Sequence, residues 1–249
     1  MKTIQTTLTA AAIVAGASLI SAGQSHAALI IDDFTTFQKV VDSTIIGGAV
    51  VGDLNDAAVL GGWRTFSANK TAGGGVGIEI FELSDDVSSR FYYEQGSTVG
   101  RGTGEIIYDG TNAATFDSNG FNPAVDLTQG GTLTDFVFYD VTILGPGLVM
   151  TVTLYNDSSA STSVQTVNLV PANLLGGNLY LPYAAFTNPA NAINVGAIKV
   201  TITGTALTAA GSDVSFDLIA SNTVPEPSAA FVVLGGVAMA LARRTRRGA

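Results

Sequence analysis

Apolar and polar residues alternate along much of this chain in short runs. In the run 148–154 every second residue is Leu, Met or Val, and Thr151 and Thr153 lie between them. The runs 198–203 and 213–218 alternate in the same way. A period of two residues predicts β-strands with one face on a core and the other toward solvent. The side chains expected in the core are those of Ile78, Ile80, Phe91, Tyr93, Phe136, Phe138, Leu148, Met150, Val152, Leu154, Ile198, Val200, Ile202, Val214, Phe216 and Leu218.

Turn-forming dipeptides separate these runs. Asp109-Gly110, Asn119-Gly120 and Gly130-Gly131 are three examples. Their spacing predicts roughly ten to twelve strands in an all-β fold, an antiparallel two-sheet β-sandwich of the jelly-roll type. Helix is expected only as a turn or two, near 35–41, where four apolar residues fall at helical spacing, and near 172–175.

The C-terminal 26 residues have a different pattern from the rest of the chain. Val224-Pro225-Glu226-Pro227 is followed by 15 residues without a charge, 228–242, and then by Arg243, Arg244, Arg246 and Arg247. The prolines favour an extended segment that a protease can reach. A helix over 228–242 would be roughly 22 Å long against a hydrocarbon core of about 30 Å, which suits a transient insertion with the arginines on the cytoplasmic side.

This order of Pro-Glu-Pro motif, short apolar helix and arginine cluster resembles the PEP-CTERM sorting signal of bacterial surface proteins. The resemblance covers about a tenth of the chain, from Val224 to Ala249. It implies an exosortase as processing partner, with the chain held in the inner membrane only transiently. The alternative is a buried C-terminal helix of a soluble domain.

The N-terminal segment 1–27 reads as a secretory signal peptide. Lys2 precedes an apolar stretch over 8–20, and Ser25-His26-Ala27 forms an A-x-A-like cleavage site for signal peptidase. Cleavage is expected after Ala27, with Ala28 as the second choice. The chain is thus divided into a signal peptide (1–27), an ectodomain (28–223) and a sorting signal (224–249), whose parts are the motif 224–227, the transmembrane segment 228–242 and the basic tail 243–249.

Charge and residue types narrow the functions open to this ectodomain. Between 28 and 223 there are six Lys and Arg against nineteen Asp and Glu, a formal charge of −13. Such a surface opposes nucleic-acid binding, which needs clustered basic residues. The chain has no cysteine, and its one histidine, His26, lies in the signal peptide. Catalytic triads and His- or Cys-ligated zinc sites are therefore excluded from the ectodomain.

Four segments of the ectodomain look like carbohydrate-binding-type jelly rolls in strand pattern and in the placement of acidic residues. They are 30–34, 62–64, 123–128 and 213–218. The resemblance implies an all-β binding domain and an extracellular polysaccharide as a partner. It includes no diagnostic motif, and a shared fold does not assign a function.

Aspartates at both ends of the ectodomain are candidate metal ligands. Asp32 and Asp33 begin it, and Asp213 and Asp217 end it. The first and last strands of a jelly roll can lie together, so these carboxylates could gather around a structural calcium ion, which takes 6 to 8 oxygen ligands. The alternative is that they are solvated strand ends.

Aromatic and acidic side chains suggest two further kinds of site. Trp63, Tyr92 and Tyr93 could stack on a sugar ring, although a single Trp in a sandwich is more often part of the core. Glu94, beside these tyrosines, is the best candidate for one of the two carboxyls that a glycosidase needs. Three Thr-x-Thr pairs, at 132–134, 151–153 and 201–203, resemble the threonine ladders of ice-binding surfaces, but β-branched Thr is common on exposed strands.

These observations predict an exported, exosortase-sorted protein of the cell surface or extracellular matrix of a Gram-negative-type bacterium. It would act by binding or by structure and would not be an enzyme. The alternatives are a carboxylate-based polysaccharide hydrolase or lyase and, with less support, an ice-binding protein.

Overall fold

The computed structural model describes residues 27–43, 49–72, 75–82, 89–95, 101–112, 115–159, 161–204 and 212–223, without the side chains of 78–82. Ala28–Thr223 forms one compact unit. The predicted signal peptide up to His26 and the predicted sorting signal lie outside the described residues. Within the described ranges, no helix has the length and apolar character needed to cross a membrane.

Fifteen strands and four 3₁₀ turns make up the described part of the chain, and every strand pair is antiparallel. The strands are β1 (Leu29–Asp32), β2 (Lys39–Asp42), β3 (Val50–Asn55), β4 (Trp63–Ala72), β5 (Val76–Glu82), β6 (Ser89–Gln95), β7 (Arg101–Tyr108), β8 (Asp135–Tyr139), β9 (Thr142–Leu144), β10 (Leu148–Asn156), β11 (Thr162–Asn168), β12 (Leu179–Pro182), β13 (Val195–Gly204), β14 (Asp213–Phe216) and β15 (Leu218–Asn222). The 3₁₀ turns are Leu60–Gly62, Pro171–Asn173, Tyr183–Ala185 and Pro189–Ile193. The all-β class expected from the sequence is confirmed.

Hydrogen bonding divides the strands into three sheets. The largest has six strands in the order β11-β10-β13-β7-β4-β3. A five-stranded sheet has the order β2-β5-β6-β14-β9, and a four-stranded sheet the order β1-β15-β8-β12.

The six-stranded sheet packs against both smaller sheets. Phe66 on β4 meets Phe91 of the five-stranded sheet edge-to-face, with ring centroids 5.7 Å apart. Arg64, also on β4, bonds Asp32 of the four-stranded sheet. The two smaller sheets also touch each other, since Phe138 and Phe216 have ring centroids 5.0 Å apart. The result is a two-layer sandwich, with aromatic rings in the core where the three sheets meet.

The predicted alternation is confirmed in the long strands. The residues at 148, 150, 152 and 154 on β10 and at 198, 200 and 202 on β13 are all buried, while Thr151, Thr153 and Thr201 are half-exposed. Phe91 and Tyr93 are buried together on β6. Ile78 and Ile80 lie on β5, and their side chains are outside the described part.

The predicted helical turn at 35–41 is wrong. Lys39–Asp42 is instead a strand, β2, paired with β5. Phe34 has a φ of 52°, which breaks a helix, and the carboxylate of Asp32 holds this bend by accepting the backbone N–H of Phe34 at 2.9 Å. The turn expected near 172–175 is present as the 3₁₀ turn Pro171–Asn173.

The run 213–218 also differs from its prediction as one strand. The chain leaves the five-stranded sheet after Phe216 and joins the four-stranded sheet at Leu218. This change of sheet at Asp217 shifts the alternation by one residue. Ile219 is therefore fully buried, whereas Leu218 is only half-buried.

Candidate functional site

Asp32, a predicted calcium ligand, is instead the centre of a buried ion pair between the layers. Both of its carboxylate oxygens accept bonds from Arg64 Nη1 at 2.8 Å, and the Tyr108 hydroxyl donates to Oδ2 at 2.9 Å. Arg64 Nε donates to Gln38 Oε1 at 2.9 Å. Asp32, Arg64 and Tyr108 are fully buried. This corrects the role of Asp32, whose carboxylate already has a cationic partner inside the core.

Burial dominates the titration of this group. It raises the pKa of Asp32 above its usual 3.8, although the charge and hydrogen bonds of Arg64 act in the opposite direction. Burial also raises the pKa of Tyr108 well above 10, and the negative charge of Asp32 adds to the effect. Tyr108 therefore stays protonated and remains a hydrogen-bond donor to Asp32.

The other three candidate carboxylates lie apart from this pair. Asp33 Oδ1 accepts the Thr35 N–H and hydroxyl at 3.2 and 2.9 Å. Asp217 pairs with Arg90 at 2.7 Å. Partial burial raises the pKa of Asp213, which lies on β14 and accepts a hydrogen bond from a tyrosine on β6. Among the described residues, no group of three or more acidic side chains could hold a metal ion. The calcium site stays a prediction from the sequence.

The three candidate aromatic residues do not form one platform. Tyr93 is fully buried, and its hydroxyl donates to the carbonyl of Gly102 at 3.1 Å, so it has no surface for stacking on a sugar. The prediction for Tyr93 is thus wrong, because neighbouring residues on a strand point to opposite faces. Tyr92 is half-buried on the five-stranded sheet, whereas Trp63 is half-buried on the six-stranded sheet.

The described glutamates are also separated. Glu94 is exposed on β6 of the five-stranded sheet. Glu105 lies on β7 of the six-stranded sheet, 3.4 Å from Lys199. The side chains of Glu79 and Glu82 are outside the described part. Glu94 and Glu105 therefore lie on strands of different sheets.

A polar, open cleft lies on the described surface. We call it the end cleft, because it lies where β10 ends and β13 begins. Its volume is about 570 Å³, and it is lined by Asn119, Phe121, Asn122, Pro123, Ala124, Asp157 and Asn194. The loop 115–124 forms one wall, and the residues after β10 and before β13 form the other. Amide and carboxylate groups in such a cleft can both donate and accept hydrogen bonds.

Glycine at position 196 allows this cleft to form. A Cβ there would lie 2.5 Å from the carbonyl oxygen of Ser118, so only glycine lets the loop rest directly on β13. The Phe121 N–H donates to the carbonyl of Gly196 at 2.8 Å and fixes the loop. At the base of the loop, the buried Asp109 carboxylate accepts the N–H groups of Thr111 and Asp117 at 3.2 Å.

The opposite wall is held by the backbone. Asp157 N–H donates to the carbonyl of Asn194 at 3.1 Å, and Asn194 Nδ2 donates to the Ser158 hydroxyl at the same distance. These bonds join the β10–β11 hairpin to the start of β13. The two walls are therefore joined by both main-chain and side-chain contacts.

An aromatic pair adjoins the cleft along the chain. Phe116 and Tyr155 have ring centroids 4.6 Å apart with an angle of 58°, and Phe116 is 41% exposed. Phe116 lies on the same loop as Asn119, and Tyr155 is two residues before Asp157. The end cleft could not be predicted from the sequence, because Asn119-Gly120 indicates only a turn. Phe116, three residues before that turn, was the available signal.

Two of the three Thr-x-Thr pairs meet on the outer face of the six-stranded sheet. Thr151 lies opposite Thr201 on one side and Thr166 on the other, with the Thr151 and Thr166 hydroxyls 3.0 Å apart. Thr203 lies opposite Thr103. The Lys199–Glu105 ion pair lies on the same face, so the threonines do not form an uninterrupted ladder.

Comparison with known proteins gave distant structural likenesses. No protein-family model and no curated protein matches the chain. The family 11 carbohydrate-binding module of the cellulosomal cellulase Lic26A-Cel5E of Clostridium thermocellum has a TM-score of 0.35 and 10% identity, covering 82% of this chain and 99% of that one. TmCBM61, in complex with β-1,4-galactotriose, has a TM-score of 0.31 and 9% identity, with coverages of 76% and 90%. These values are too low for a conclusion about fold or ligand.

Proposed function

We propose that this protein is exported, sorted by an exosortase, and binds a neutral extracellular polysaccharide at the end cleft without catalysis. The observation that carries the binding role is the combination of amide and carboxylate groups in an open cleft with the Phe116–Tyr155 ring pair next to it along the chain. Polar side chains with an adjacent aromatic surface suit ring hydroxyls and the apolar face of a sugar.

Charge favours a neutral ligand. The described residues that line the cleft include Asp157 and no Lys or Arg. The ectodomain as a whole carries a formal charge of −13. A polymer rich in uronic acids or sulfate would be repelled, whereas a neutral glycan would not.

Binding is proposed without cleavage. A glycosidase needs two carboxyls about 5 to 9.5 Å apart. Among the described residues lining the cleft, Asp157 is the one carboxyl. The hydrolase alternative predicts new reducing ends when the protein is incubated with a polysaccharide, and the proposal predicts none.

Affinity electrophoresis of residues 28–223 in gels containing neutral or uronic-acid polysaccharides tests the binding role. Neutral polymers should retard the protein, and Asp157→Ala with Asn194→Ala should remove the retardation. Asn69→Ala, an exposed position on β4, is the matched control and should leave it unchanged. Equal retardation of both variants and the wild type would place any binding elsewhere.

The sorting role is supported by the order of motif, apolar segment and arginines at the C-terminus. Replacing Pro225, Glu226 and Pro227 with alanine should leave unprocessed precursor in the inner membrane. Intact-mass measurement of the mature wild-type protein should find both termini removed. A mature species that still ends at Ala249 would contradict the proposal.

A further inference from the structure

The end cleft contains a dipeptide with its own chemistry. Asn119-Gly120 is the one Asn-Gly pair in the chain, and Asn119 lines the cleft and is exposed. When glycine follows asparagine, the backbone nitrogen of the glycine can attack the side-chain amide, because no side chain hinders its approach. The two residues are held in this order by two separate contacts.

Packing against the end of β7 requires the glycine. A Cβ at position 120 would lie 1.5 Å from the carbonyl oxygen of Asp109, so a residue with a side chain does not fit. The N–H of Gly120 donates to the carbonyl of Asp117 at 3.3 Å, which is long for such a bond and therefore weak. The attacking nitrogen is thus unhindered and only loosely held.

The amide of Asn119 joins the two walls of the cleft. Its nitrogen donates to the carbonyl oxygens of Ser118 and Asp157 at 3.2 Å each, since the opposite orientation would set the amide oxygen against both carbonyls. The bond to Ser118 lies within the loop 115–124, whereas the bond to Asp157 crosses to the opposite wall. Loss of this amide group would therefore change the cleft itself.

We propose that Asn119 is a site of spontaneous deamidation that alters the end cleft irreversibly. The Gly120 nitrogen loses its proton and forms a bond to Cγ of Asn119, and the bond from Cγ to the amide nitrogen breaks, so that ammonia leaves. Water then opens the cyclic imide, either at Cγ to give aspartate or at the backbone carbonyl to give isoaspartate. The turn 117–120 must open before the attack, and surface segments with weak hydrogen bonds open locally in folded proteins.

Both products remove the bond between the walls. Aspartate has no amide N–H, and its carboxylate would lie against the carbonyl oxygens of Ser118 and Asp157. Isoaspartate also lengthens the main chain next to Gly120, which is packed against Asp109. The wall is therefore displaced and gains negative charge, and polysaccharide binding should be lost. This consequence rests on the proposed function, whereas the deamidation does not.

Peptide mapping of the purified full-length chain tests the conversion. The folded protein is incubated at mildly alkaline pH, and its chymotryptic peptides are followed over time by mass spectrometry. Deamidation replaces NH₂ by OH and so raises the mass of the peptide that contains Asn119. Isoaspartyl methyltransferase labels the isoaspartate fraction of the product.

Asn69 is the matched control, because it is also exposed, whereas the N–H of the following Lys70 is held by the Asp42 carboxylate at 2.8 Å. Asn119 should convert severalfold faster than Asn69. Asn119→Gln should stay unconverted, since attack on its longer side chain would have to close a larger ring. If Asn119 stays intact in the folded protein while a urea-unfolded sample converts completely, the inference is overturned.

The effect on the cleft is measured separately. Anion exchange separates converted from unconverted protein by the added negative charge. In gels that contain a neutral polysaccharide, the unconverted fraction should be retarded, whereas the converted fraction and Asn119→Asp should migrate freely. Equal retardation of both fractions would overturn the effect on the cleft. If Asn119 converts and neither fraction is retarded, the deamidation site is supported and the proposed function fails.

Discussion

The buried pair between Asp32 and Arg64 should dominate the response of this sandwich to mutation. Arg64 is fully buried and lies 5.0 Å from the Phe66 ring centroid and 5.5 Å from that of Phe34. Arg64→Met removes the charge and keeps an unbranched apolar side chain. The carboxylate of Asp32 would then be left in the core without a cation.

Breaking one partner of a buried ion pair costs about 3 to 5 kcal/mol, because the remaining charge is uncompensated. We expect Arg64→Met to lie in that range, since all four of its hydrogen bonds are made within the protein. Replacing both partners, with Asp32→Leu added to Arg64→Met, removes the stranded charge. The double variant should therefore be more stable than Arg64→Met.

Urea unfolding of residues 28–223, with the free energy taken by linear extrapolation, measures these differences. Arg90→Met is the matched control, because Arg90 also pairs with aspartates, Asp140 and Asp217, but is less buried than Arg64. It should cost less than Arg64→Met, because water can reach the carboxylates that it leaves behind. The account of this pair would be refuted if Arg64→Met cost no more than Arg90→Met. It would also be refuted if the double variant lost as much free energy as Arg64→Met and Asp32→Leu lose together as single variants.

The remaining predictions concern the core, pH and calcium. Phe216→Ala should cost about 3 to 5 kcal/mol of unfolding free energy, whereas Thr201→Ala, half-exposed on β13, should cost less than about 1; equal costs would contradict the assigned faces. Asp126 has a pKa below its usual 3.8, because hydrogen bonds from Thr128 and Gly130 outweigh the effect of its partial burial. The Asp126 carboxylate therefore stabilises the fold above pH 3.8 and loses this effect as the pH falls. The stability advantage of the wild type over Asp126→Asn should shrink in acid, and urea unfolding at a series of pH values measures it. The pKa of Asp32 is raised, so its contribution to stability changes with pH in the opposite direction. The stability advantage of the wild type over Asp32→Asn should therefore grow as the pH falls toward 3.8 and below. A calcium site at the predicted carboxylates should raise the thermal midpoint of unfolding by several degrees in millimolar calcium, compared with a chelator. Asp33→Asn combined with Asp217→Asn should abolish this rise. An unchanged wild-type midpoint would leave Asp217 as a partner of Arg90 only.

Strand periodicity was predictable because it depends on local burial. β10 and β13 are central strands with one face on the core, so their side chains alternate as the sequence indicates. The failure at 35–41 has a nonlocal cause. The conformation of Phe34 is set by the Asp32 carboxylate, which is itself fixed by Arg64 and Tyr108 from the other layer.

The candidate site was harder to predict than the strands. The end cleft is built from three segments distant in sequence, and the fit of the loop onto Gly196 depends on tertiary contact. The sequence shows that aspartates lie at both ends of the domain. It does not show that Asp32 pairs with Arg64, which is 32 positions away. Sequence shows which residues are unusual, whereas their partners are set by how the layers pack.

Binding at the end cleft is the central claim, and backbone amide NMR of ¹⁵N-labelled residues 28–223 tests it most directly. Oligosaccharides cut from a neutral polymer that retards the protein would be titrated into the sample. We expect the shift changes to concentrate at Asn119, Asp157 and Asn194 and along the Phe116 loop. Shift changes centred on Tyr92 and the five-stranded sheet, with the cleft amides unmoved, would contradict the claim.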